Sequence, residues 1–120
     1  MKIFLIGPMG SGKSKIGRIL SEKLSISLFD IDKEIEKDLN MSITEIFASK
    51  GEIFFRNTET DYLIKTKGLR DCIVSTGGGV IEEIKNLEFL KKETNVVFLN
   101  CSVESQYENT KNSAKRPLLL

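Results

Sequence analysis

The sequence predicts an α/β fold of three layers, α/β/α, with helices on both faces of a central parallel sheet. Three observations predict it. Short apolar runs alternate with segments of helical periodicity, the runs lack the polar alternation of half-exposed strands, and a glycine-rich turn joins the first run to the first helical segment.

The runs KIFLIG, ISLFD, CIVST and NVVFL are rich in Ile, Val, Phe and Leu, as strands buried on both faces are. Between the first two, Lys13 to Leu24 carries Ile16, Ile19, Leu20 and Leu24 at helical spacing. KEIEKDLN, after Asp32, is also helical in pattern. Ser42, Ile43, Thr44 and Glu45 form a capping box that opens a short helix closed by Gly51. Glu52 to Lys67 is a longer helix ending at Gly68. A weaker helix covers Asn86 to Lys92, and another starts near Ser102. Strands linked through helices imply right-handed crossovers and a site at the carboxyl ends of the strands. No internal repeat, linker or low-complexity segment interrupts residues 1–120, which form a single domain on this reading.

Composition narrows the chemistry. With 120 residues, 40% of them apolar, and a net charge of +1, the chain suits one soluble domain and offers no electrostatic case for nucleic acid or membrane. No stretch is long enough to span a bilayer, and IFLIG is too short for the core of a signal peptide. A cytoplasmic location is expected. Cys72 and Cys101 lack C-x-x-C spacing and adjoin predicted strands, so buried free thiols are expected. Histidine is absent, which excludes Ser-His and Cys-His nucleophiles. Catalysis must rest on carboxylates, Lys, Arg, backbone amides or a metal.

The strongest local signal is Gly7-Pro8-Met9-Gly10-Ser11-Gly12-Lys13-Ser14, which fits G-x-x-x-x-G-K-[ST] between a predicted strand and a predicted helix. Its glycines let backbone N–H groups curl around phosphate oxygens. Lys13 reaches the β- and γ-phosphates, and the Ser14 hydroxyl can ligand Mg²⁺. A plain strand-to-helix turn is the alternative, and the flanking elements argue against it. The chain is expected to bind a nucleoside triphosphate.

Such a loop does not name the phosphate acceptor. A second metal-binding acid usually ends another central strand, but here that strand runs into Thr76-Gly77-Gly78-Gly79 with no carboxylate. The N-K-x-D signal of GTPases is also missing. Asp30, ending the second strand in LFDID, is the best placed acid for the metal. If the strand continues, Asp30 and Asp32 face one side and need a cation or donor between them; otherwise they cap the helix that follows. The three glycines are either a flexible turn or a wall without side chains where a substrate approaches the backbone.

GPMGSGKS, the FDID pair, GEIFFRNTE, STGGGV and KRPLL, in this order, resemble the shikimate kinase family. Together they cover nearly the whole chain. The resemblance implies a P-loop NTPase fold of the nucleoside monophosphate kinase type. It also implies Mg²⁺-dependent transfer of the ATP γ-phosphate to the 3-hydroxyl of shikimate, toward chorismate and the aromatic amino acids, by a monomer. Gly10, Ser11, Gly12, Lys13, Ser14 and Lys15 would hold the ATP phosphates. Ser14 and Asp30 would hold Mg²⁺, Asp30 through water. Asp32 would bind shikimate hydroxyls and serve as base or orienter, and Lys13 and Arg116 would act on the phosphates. Arg56 and Gly78 would complete the substrate site, the planar fork of Arg56 suiting a carboxylate as lysine cannot. Without this pattern, Arg56 reads as a surface salt bridge to Glu52 or Glu59.

Two departures from the family pattern stand out. Glu108-Asn109-Thr110 replaces the usual E-R-T, removing a cation that would stack on adenine, and Lys15 stands where threonine is common. The chain also stops at Leu118-Leu119-Leu120, inside a lid that begins near residue 110. A truncated domain, with an unpaired sheet edge and part of its core exposed, is therefore expected. The alternatives are another small-molecule kinase such as a gluconate kinase, against which the D-x-D, F-R and GGG set argues, and a noncatalytic ATP-binding module.

Overall fold

The computed structural model describes residues 1–100. β1 (Lys2–Ile6), β2 (Ser27–Asp30), β3 (Cys72–Ser75) and β4 (Val96–Phe98) form one parallel sheet in the order β2-β3-β1-β4. β3 is buried at every residue, as its unbroken apolar run requires. Ser75 is level with both Leu5 and Asp30 in the register. The loops after β1, β2 and β3 therefore open on one edge of the sheet, and the motifs lie there.

Helices cover both faces. α1 (Lys13–Leu24) lies on the face carrying Leu5, Leu28 and Ile73. Gly17 makes this close approach possible, because a Cβ there would lie 3.0 Å from Leu28 Cδ1 and 3.5 Å from Leu5 Cδ1. α2 (Ile31–Leu39), α3 (Ile43–Lys65) and α4 (Ile84–Lys91) cover the other face. Their Ile31, Ile35, Ile46, Leu63 and Phe89 pack with Phe4 and Val74 of the sheet, and Phe4 meets Phe89 edge to face at 5.9 Å between centroids.

Local chemistry sets the boundaries. Ser42 Oγ accepts from Glu45 N and Glu45 Oε1 accepts from Ser42 N, so the capping box opens α3 as expected. Gly51, at φ 87° and ψ 167°, breaks the helical path within α3, which is where the sequence divides it. The chain leaves α3 through a 3-10 turn at Thr66–Gly68. α4 starts two residues earlier than the periodicity suggests and follows a second 3-10 turn, Val80–Glu82.

Of the two readings of the Asp30–Asp32 pair, the helix cap holds, on Asp30, and the continuing strand does not. β2 stops at Asp30 and α2 begins at Ile31, so the strand does not persist through the pair and its period of two does not govern it. Asp30 is the N-cap, its Oδ1 accepting from Lys33 N at 3.2 Å, and Asp32 lies in the first helical turn.

At the sheet edge formed by β4, Val97 and Phe98 are 43% and 53% exposed. Cys72 is a buried free thiol whose pKa is pushed up chiefly by burial. Among the described residues, no helix is long and apolar enough to cross a membrane. Cys101, the helix expected from Ser102, Asn109, the lid and Arg116 lie outside the described residues.

Candidate active site at the carboxyl edge of the sheet

The loop after β1 is shaped by glycine. Gly7, Gly10 and Gly12 have φ of 150°, 79° and 88°, values that side chains resist. Gly12 caps α1 and has no side chain to accept from the first amides of that helix. Backbone donors and the positive end of the helix dipole therefore face the loop, the arrangement that receives phosphate. Lys13 is buried and folds back over the loop, its Nζ 2.5 Å from Gly7 O and 3.0 Å from Pro8 O. Ser11 Oγ is buried with no hydrogen-bond partner, a polar atom that a phosphate oxygen would satisfy. Lys15 points to solvent from the first turn of α1.

Asp30 closes this half of the site. While Oδ1 caps α2, Oδ2 accepts from Ser14 Oγ at 3.1 Å. A hydroxyl and a carboxylate oxygen at the phosphate loop suit Mg²⁺, which takes few protein ligands and completes its shell with phosphate and water. Among the described residues no group of three or more His, Cys, Asp or Glu could hold a metal, so the donors present fit an ion shared with a nucleotide rather than an all-protein cage.

The second half gathers around the three glycines. A Cβ on Gly77 would lie 2.5 Å from Glu59 Oε2 and 3.0 Å from Asp32 Oδ1. One on Gly79 would lie 2.5 Å from Arg56 Nη1, and one on Gly78 would lie 2.8 Å from Met9 Cγ. The loop is thus a wall against which Asp32, Glu59 and Arg56 converge. Gly78 faces the phosphate loop, whereas Gly77 and Gly79 border the charged cluster.

Arg56 is not a surface residue. It is 8% exposed, with Nη1 donating to Glu59 Oε1 at 3.1 Å and Nε 3.5 Å from Glu52 Oε2. Both partners named by the salt-bridge reading are present; the pair with Glu59 is buried, whereas Glu52 reaches Arg56 from an exposed position. Arg56 Nη2 is buried with no hydrogen-bond partner, a donor suited to an incoming carboxylate. Glu59 is fully buried and its pKa is pushed up to about 7, first by burial and then by the charge of Asp32, against the lowering effect of Arg56.

Glu59 enters the sequence reading only as a salt-bridge partner, yet a signal was there. Phe55, Glu59 and Leu63 recur every four residues and all three are buried, so the acid lies in the apolar stripe of its helix. A charge in such a stripe marks a site more strongly than one on the solvent face.

The shikimate kinase family profile matches residues 9–120. The chain belongs to the shikimate kinase family. It is 41% identical over 117 residues to the shikimate kinase of Persephonella marina, covering 98% of this chain and 71% of that protein. It is 40% identical to that of Methylococcus capsulatus, covering 98% and 65%. Among solved structures, shikimate kinase from Acinetobacter baumannii in complex with shikimate superposes with a TM-score of 0.93 at 42% identity, covering 98% of this chain and 66% of that one. The deoxyadenosine kinase of M. mycoides, at 18% identity and a TM-score of 0.57, shares the fold. The chain therefore spans about two thirds of the length of the shikimate kinases it matches.

Proposed function

We propose that the chain acts as a shikimate kinase, moving the γ-phosphoryl group of ATP to the 3-hydroxyl of shikimate and releasing shikimate 3-phosphate and ADP. The observation that carries this reading is the shared wall at Gly77–Gly79: Met9 of the phosphate loop lies on one side and the Asp32, Glu59 and Arg56 cluster on the other. Donor and acceptor can meet across it.

Each residue has a defined task on this reading. The loop from Gly10 to Lys15 binds the phosphates, with Lys13 donating to the β- and γ-phosphates once it leaves the carbonyls of Gly7 and Pro8. Ser14 and Asp30 would hold Mg²⁺, Asp30 through water; the ion supplies charge neutralisation on the phosphates. Arg56 receives the shikimate carboxylate on Nη2, and Gly78 keeps the wall close to it. Asp32 accepts a hydrogen bond from the attacking hydroxyl and takes its proton as the new P–O bond forms and the bond to the β-phosphate oxygen breaks. Because phosphoryl transfer depends mainly on alignment and charge stabilisation, orientation by Asp32 matters more than its basicity. Arg116 would stabilise the transferring group from the lid, a contribution of about 3–4 kcal/mol for such a donor. A cytoplasmic monomer working in chorismate biosynthesis, with residues 1–120 in one kinase domain, completes the proposal.

ADP formation tests it. Turnover with shikimate and none with gluconate supports the assignment. ATP binding without turnover on either acceptor overturns it in favour of a noncatalytic ATP-binding module.

A further inference from the structure

The glycine wall has no side chains of its own to fix its position, so its shape must come from neighbours. At its start, buried Thr76 is fastened to β1: its N and Oγ1 both donate to Leu5 O, at 3.2 and 2.8 Å. Beyond its end stands Asn86, fully buried in the first turn of α4, with Nδ2 donating to Val80 O at 2.8 Å. Its Oδ1 is buried with no hydrogen-bond partner.

That second contact is unusual for its position. An amide side chain at the third residue of a helix can reach back to the cap of its own helix. Asn86 does not: Glu83 caps α4 without a side-chain hydrogen bond, and the Asn86 amide goes to a carbonyl six residues back. Leaving Oδ1 unsatisfied in the interior is costly, so as a contribution to stability alone the residue is a poor choice. Its bond instead restrains the 3-10 turn whose amides close onto the wall, Val80 N to Gly77 O at 3.2 Å and Glu82 N to Gly79 O at 3.1 Å. Any slack there would move Gly77 against Asp32 and Glu59, and Gly79 against Arg56.

We infer that Asn86 is a positioning residue for the acceptor half of the site, holding the glycine wall against Asp32, Glu59 and Arg56 through the Val80 carbonyl. The inference rests on the kinase reading above. It bears first on the acceptor side, because the Asn86 bond reaches Val80 beside Gly79 and Arg56, whereas Met9 of the phosphate loop borders Gly78, and Asn86 makes no hydrogen bond to that loop among the described residues.

The test compares Asn86→Ala with Leu90→Ala, a truncation of another buried residue on the same helix whose side chain has no hydrogen-bonding group. Amide hydrogen exchange is followed at Val80 and Glu82, and steady-state kinetics are measured with shikimate and ATP. Asn86→Ala should speed exchange at both amides and raise the shikimate KM about tenfold, the effect of losing one good hydrogen bond, with the ATP KM within about twofold. Leu90→Ala should leave both KM values within about twofold. If Asn86→Ala fails to fold, Asn86→Leu keeps the volume, removes the donor without burying a charge and carries the same expectation. Equal KM changes in the two truncations, or unchanged exchange at Val80 and Glu82, overturn the inference. A wild-type chain without shikimate-dependent turnover overturns the kinase reading and the inference with it.

Discussion

Arg56 Nη1 donates to Glu59 Oε1 at 3.1 Å in the interior, and the same guanidinium keeps a buried Nη2 without a hydrogen-bond partner. The acid fixes the orientation of the cation, and the unmatched donor is where an anionic acceptor gains most. Lysine keeps the charge but offers neither the planar fork nor a second donor in that direction. Arg56→Lys should therefore raise the shikimate KM by roughly 10- to 100-fold, the equivalent of one charge-assisted hydrogen bond, while ATP affinity is unchanged. Steady-state kinetics with calorimetric ATP binding check this, and parallel losses for both substrates would contradict it.

The same acid gives stability a pH dependence. Glu59 has its pKa raised from 4.5 to about 7 in the folded chain, chiefly by burial and then by Asp32. The folded state thus keeps a proton that the unfolded chain has released. Its contribution is full below about pH 4.5 and is lost as pH rises through about 7. The loss is on the order of 3 kcal/mol at most. Glu59→Gln removes this titration, so urea midpoints measured from pH 5 to 8 should fall more steeply with pH in the wild type than in the variant. Parallel curves would show that Glu59 does not titrate in this window.

Much of this site was legible in the sequence. The phosphate loop could be read because its glycines, lysine and serine act through local backbone geometry, which spacing encodes directly. The break at Gly51 and the box at Ser42 and Glu45 are local in the same way. The acceptor half depends on contacts between distant elements. Glu59 and Gly77 are brought together by the packing of α3 on the sheet, and no local pattern announces it. Asp30 and Asp32 fall between these cases. Both are aspartates, which favour a cap, and only the turn of the chain at Asp30 decides which one provides it.

Asp30 caps α2 on one oxygen and accepts from Ser14 on the other, and on the proposed function the second serves the metal, so the two can be separated. Asparagine caps helices about as well as aspartate but has no negative charge for a metal. Asp30→Asn should therefore keep α2, with thermal stability within about 0.5 kcal/mol of the wild type. Turnover should fall at least about tenfold and need more Mg²⁺ for half-maximal rate, as expected when an acid near the ion is lost. A Mg²⁺ titration of the rate beside a thermal melt separates the effects. An unchanged titration would remove Asp30 from the metal site.

Two glycine-to-alanine variants distinguish space from backbone strain. Gly79 has an ordinary φ of −98°, so alanine there costs the backbone little, but its Cβ would lie 2.5 Å from Arg56 Nη1. The flexible guanidinium can yield, at the expense of its alignment with Glu59. Gly79→Ala should therefore melt near the wild type, within about 1 kcal/mol, and show its defect in the shikimate KM. Gly12 presents the opposite case. Nothing lies within 4 Å of a Cβ there, but φ is 88°, so alanine is strained by about 1–2 kcal/mol in the loop that opens α1. Gly12→Ala should lower the melting temperature and raise the ATP KM first. Kinetics in both substrates decide the matter: if the two variants share one pattern of KM changes, the acceptor wall and the phosphate loop are not the separate halves that their geometry describes.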